Sequence, residues 1–103
     1  MLAVLLAAAL AAPGAGAAPS LPLLLGAGEA EARIRLGRPD LTRREAGGAM
    51  WTYTRPGCAL LLFLRPDAAG AWRVTGAEAG PRRRGEAAPE LNACLAEVAA
   101  ARR

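Results

Sequence analysis

The side chains of this 103-residue sequence that can do chemistry are Cys58, Cys94, nine carboxylates and 13 arginines, and the chain contains no histidine. Nucleophilic catalysis needs a base set against the nucleophile, and the usual base is missing. The carboxylates are scattered. Asp40 follows Pro39 and Asp67 follows Pro66, ordinary turn positions. Most of the others fall in first turns of helices or in loops, where capping accounts for them. No spacing suits a metal, and Gly26-Ala27-Gly28 stands ahead of a helix without the strand and lysine of a phosphate loop. These patterns predict a protein without an enzymatic activity and without a cofactor.

Three adjacent arginines, Arg82, Arg83 and Arg84, are the one local concentration of a formal net charge of +4. Forked guanidiniums grip phosphate or carboxylate groups, so the run is a candidate anion contact. The competing explanation is a solvated loop. All 13 basic residues are Arg, and the chain holds 27 Ala, 12 Gly and eight Pro, a bias that discounts any single arginine cluster.

The cysteines acquire a reading from the N-terminus. The first charged side chain is Glu29, and Leu2 to Ala12 is an apolar run of secretory-signal length broken by Pro13-Gly14. Ala15-Gly16-Ala17 then has the small-x-small form of a cleavage site, although only the α-amino group of Met1 stands in for a basic leading region. Residues 1–17 are expected to be a signal peptide, 18–28 an apolar linker and 29–103 a single domain. The interruptions at Pro13, Pro19 and Pro22 argue against a membrane span. The expected location is the periplasm or the outside of the cell. Export excludes nucleic acid as a partner and favours a Cys58–Cys94 disulfide. That bridge closes a loop of about 37 residues, worth about 4 kcal/mol by the chain-entropy argument.

The elements that must position these groups follow from period and punctuation. Glu29–Leu36 reads as a short helix, acidic at its start and basic at its end, with Ala32 and Leu36 inward and Leu25 capping the stripe. Gly37 and Pro39 end it. Strands are expected at 41–45, 50–54, 58–64 and 71–79, joined by short Gly- and Pro-containing turns that make a meander. Pro89 suits the first position of a last helix, on which Leu91, Cys94, Leu95 and Val98 form one apolar stripe. The fold class is α+β: a small antiparallel sheet of three to four strands, with a short N-terminal helix and a C-terminal helix on one face.

Cys58 to Leu64 is a continuous apolar run and so reads as a central strand buried on both faces. Two short helices cover only one face. If Leu60, Leu62 and Leu64 take that side, Leu61 and Phe63 need another cover. The candidates are the 18–28 segment, a second copy of the chain, or an envelope partner, and Leu61 and Phe63 mark the surface in question.

The order of a short helix, Leu36-Gly37-Arg38-Pro39-Asp40 and then Trp51-Thr52-Tyr53 resembles the SmpA/OmlA (BamE-type) domains of bacterial envelopes over residues 24 to 79. The resemblance implies a small sheet packed on helices and a non-catalytic accessory or binding role. The lipidated cysteine of the assembly lipoproteins has no counterpart here. A small secreted inhibitor of a hydrolase, presenting the 80–88 loop, and a polyanion binder using Arg82–Arg84 are the alternatives.

Overall fold

The computed structural model describes residues 19–102, so the expected signal peptide at 1–17 lies outside the described residues. Helix α1 (Leu21–Leu24) and helix α2 (Glu29–Leu36) precede strands β1 (Leu41–Glu45), β2 (Gly48–Thr54), β3 (Ala59–Pro66) and β4 (Trp72–Gly80), and helix α3 (Leu91–Ala100) follows them. The strands form one antiparallel meander in the order β1-β2-β3-β4. This is the expected α+β architecture. Each turn is short because each carries its own stop signal. In the β3–β4 turn, for example, the Asp67 carboxylate accepts from the backbone N–H groups of Ala69 and Ala71, both at 2.9 Å.

Helix α2 has the predicted bounds. Glu31 and Arg35 pair across one turn at 3.1 Å, and Ala32 and Leu36 are fully buried. Gly37 ends the helix with φ of 87° and ψ of −176°, a conformation that suits only glycine. Helix α3 begins at Leu91 rather than at Pro89. The Glu90 side chain accepts from the N–H groups of Asn92 and Ala93, both at 3.0 Å, so it caps the first turn and fixes the start.

One face of the sheet carries the core. Leu60, Leu62 and Leu64 of β3 are opposite Tyr53, Trp51 and Ala49 of β2 and opposite Ala79, Ala77 and Val74 of β4. A register shift between Phe63 and Leu64 leaves Thr75 as the extra residue in β4 and reverses its alternation. Trp72 and Val74 share the core side with Ala77 and Ala79 because of that bulge. Cys94, Leu95 and Val98 of α3 close over this face, and Leu24 and Ala27 join the same core.

Of the expected 18–28 linker, residues 19–28 are described, and they contribute α1 and two core residues. Leu24, with no exposed surface, replaces the half-exposed Leu25 as the residue that completes the helical stripe. Beyond α1 the chain runs along β4: Gly26 N–H donates to the Val74 carbonyl at 2.8 Å, and Val74 N–H to Ala27 at 2.9 Å. That pairing covers part of the outer edge of β4. Pro22 lies in the first turn of α1, where the missing N–H of proline has no intrahelical partner.

Cys58 and Cys94 are bonded, with an S–S distance of 2.00 Å and Cα atoms 5.8 Å apart. The bridge ties the residue just before β3 to the inward stripe of α3. A second tie lies beside it, where Gly57 N–H donates to the Glu97 carboxylate at 3.0 Å. Among the described residues no helix is long and apolar enough to cross a membrane.

Candidate functional site

The opposite face of the sheet has no helix on it. Side chains alternate along each strand, so burial of Trp51 and Leu62 sends Met50, Thr52, Leu61 and Phe63 outward. Met50 is opposite Phe63, and Thr52 is opposite Leu61. All four are half-buried by one another and by neighbouring strands, and Leu41 beside them on β1 is 67 % exposed. The double burial expected of β3 is complete on one side and partial on the other. Within the candidate 18–28 cover, Leu24 and Ala27 of the described residues 19–28 pack into the core side instead.

Near the β1–β2 turn this face dips into a groove of about 500 Å³, with Met50 and Phe63 among its lining residues and Arg43, Glu45 and Arg65 bearing its charge. Arg43 and Glu45 approach within 3.8 Å, both well exposed, a separation at which screening leaves little attraction. Arg65 makes no ion pair among the described residues. The groove thus presents apolar side chains and one uncompensated guanidinium.

The arginine run is divided. Arg82 donates through Nη1 to the Arg55 backbone carbonyl. Arg83 stands 3.9 Å from Glu86, and Arg84 has no ion pair among the described residues. The three side chains thus make different contacts. What the run contributes is one residue, Arg82, at a cluster the sequence did not disclose.

That cluster lies where the 37–40 loop meets the end of β2. Arg55 donates through Nη1 to Asp40 Oδ2 at 2.9 Å and to the Thr54 carbonyl at 2.8 Å, and Thr54 N–H reaches the same Asp40 oxygen at 2.7 Å. The Arg55 guanidinium stands 5.7 Å from the Tyr53 ring. Arg38, Pro39, Asp40 and Arg55 line a cleft of about 370 Å³. Asp40 reads from sequence as a turn residue and Arg55 opens the Arg55-Pro56-Gly57 turn, and no sequence period connects positions 15 apart on either side of a strand pair. The only signal was the abundance of Arg beside Pro, which turn chemistry already explained.

Two more arginines lie against aromatic rings. Arg33 of α2 is 4.7 Å from the Trp51 ring centre. Arg44 crosses the core side of the sheet at its open end, 4.3 Å from Trp72 and paired with Glu29 at 2.8 Å. These contacts close the rim of the core and leave both rings engaged within the chain. Among the described residues no group of three or more Cys, Asp or Glu side chains is placed to hold a metal ion.

No protein-family model matches this chain, nor does any curated protein or solved structure.

Proposed function

We propose that the protein is a non-catalytic, exported binding module of the bacterial envelope, whose partner docks on the uncovered face of the sheet. The partner is a polypeptide that lays apolar side chains against Leu61, Phe63 and Met50 and offers a carboxylate to Arg65. The observation that carries this reading is the half-buried Leu61–Phe63 stripe beside a groove with an uncompensated arginine. Apolar sheet faces of this kind lower their free energy by burying surface against a partner, and the unpaired charge adds selectivity. The disulfide supports an oxidising compartment, and the likeness to SmpA/OmlA domains supports an accessory role.

The test places a photo-cross-linking residue at position 61 and compares the chain with its Phe63→Ser variant in the periplasm. A specific adduct from position 61, lost in Phe63→Ser and retained in Arg84→Ala, is the expected result. Folding of each variant is followed by near-ultraviolet circular dichroism. Unfolding of Phe63→Ser would make the residue part of the core and end the proposal. So would the absence of any adduct from position 61.

A further inference from the structure

We infer that the cleft lined by Arg38, Pro39, Asp40 and Arg55 is a binding site for a phosphate monoester, separate from the proposed docking face. Three observations converge there. First, Arg55 Nε is buried without a hydrogen-bond partner, the one such side-chain atom among the described residues. A guanidinium N–H removed from water and left without an acceptor is costly, and an acceptor reached by a small turn of the guanidinium towards the cleft would relieve that cost. Second, Arg38 lines the same cleft, and its guanidinium has no hydrogen bond or ion pair among the described residues. Third, Asp40 is the one carboxylate of the lining, so the guanidiniums of Arg38 and Arg55 outnumber it.

The arrangement is held before any ligand comes. Arg55 is only 14 % exposed in its side chain and is fixed by Asp40, by the Thr54 carbonyl and by the Tyr53 ring. Little side-chain freedom remains to be lost on binding, which favours affinity. Phosphate rather than carboxylate follows from the cleft's composition. Guanidiniums on different chain segments offer donors in several directions, which match three terminal oxygens better than a planar pair. A phosphate monoester also keeps one proton part of the time near neutral pH, its second pKa being about 6. The protonated oxygen can donate to the Asp40 carboxylate, whereas an ionised carboxylate ligand would only repel it. The volume of about 370 Å³ leaves room for the ester substituent beyond the phosphate itself.

The experiment is a titration of the oxidised protein with inorganic phosphate, glycerol phosphate and acetate at constant ionic strength, read on the Arg55 Nε–H resonance by NMR. The expected result is a saturable shift with either phosphate and none with acetate, weakened about tenfold or more in Arg38→Ala. Glycerol phosphate binding more tightly than inorganic phosphate supports the monoester assignment, and equal or weaker binding reassigns the site to free phosphate and overturns it. Arg84→Ala and Phe63→Ser should leave the titration unchanged, so loss of partner docking and loss of phosphate binding are distinguishable. An unmoved Arg55 resonance, an equal response to acetate, or full binding by Arg38→Ala would each overturn the inference. Arg38 is exposed, so the variant is not expected to unfold, and its circular dichroism checks this.

Discussion

The Tyr53 hydroxyl donates a 2.8 Å hydrogen bond to the Gly37 carbonyl, joining the middle of the sheet to the last residue of α2's turn in a fully buried setting. Burial pushes the Tyr53 phenol well above its ordinary pKa of 10.0, although the nearby Arg33 and Arg55 act in the opposite direction. A raised folded-state pKa means that the stabilisation is complete below the unfolded value and declines as pH rises towards the folded one. Tyr53 is the sole tyrosine, so absorbance at about 295 nm reports this group alone. We expect no ionisation in the ordinary phenol range until the protein unfolds. Tyr53→Phe should remove that alkaline dependence and cost about 1–3 kcal/mol in urea denaturation, because the Gly37 carbonyl loses its partner.

Gly37 should tolerate no side chain. Its φ of 87° with an extended ψ is reserved for glycine, and the residue is buried. Gly37→Ala is expected to lower stability by about 1–3 kcal/mol. Gly47→Ala is the control, since a methyl group there meets nothing within 4 Å and its φ is not positive. Thermal melts of the two variants measured side by side decide the matter.

Removal of the disulfide by Cys58→Ala/Cys94→Ala should cost about 4 kcal/mol, the loop-closure entropy of the unfolded chain. That is a large fraction of what a small domain has. Unfolding curves in urea give the number. Survival of a cooperative transition near the original midpoint would show that packing of α3, together with the Gly57–Glu97 hydrogen bond, is sufficient without it.

Asp67 makes the β3–β4 turn sensitive to acid. The Ala71 N–H above all, and then the Arg73 side chain, hold its carboxyl below the ordinary value of 3.8. A depressed folded-state pKa gives stabilisation that is present above the unfolded value and is lost as pH falls below it. Asp67→Asn should therefore narrow the difference in urea midpoint between about pH 6 and about pH 3. A titration of the side-chain carboxyl carbon by NMR locates the group directly.

Much of the fold was legible in the residues because the deciding interactions are local. The bounds of α2 follow from acidic residues at its start, basic residues at its end and the Gly37–Pro39 stop. Turn residues separate the four strands, and the stripe of α3 puts Cys94 inward, where the Cys58 sulfur meets it. The start of α3 was misplaced by two residues, since Pro89 and Glu90 are both good helix openers and only the capping geometry separates them. The short α1 was missed for a related reason. Four residues give no period, and their helical form depends on Leu24 reaching the core.

The candidate sites divide along the same line. From Cys58 to Leu64 the sequence determines that one apolar set of side chains must lack a helix above it. It does not say which set, because both alternate faces of β3 are apolar. The choice belongs to the cross-strand register, which places Leu60 and Leu62 opposite the two large aromatics of β2 and leaves Leu61 and Phe63 outside. The cleft was invisible altogether: it joins Arg38, Asp40 and Arg55, with Arg82 held against the Arg55 backbone, across loops whose separate sequences each read as turns. Period, turn chemistry and compartment are properties of short stretches, and the residues alone settle them. Which faces are buried, which edges are covered and which charges converge depend on long-range contacts that exist only once the chain has folded.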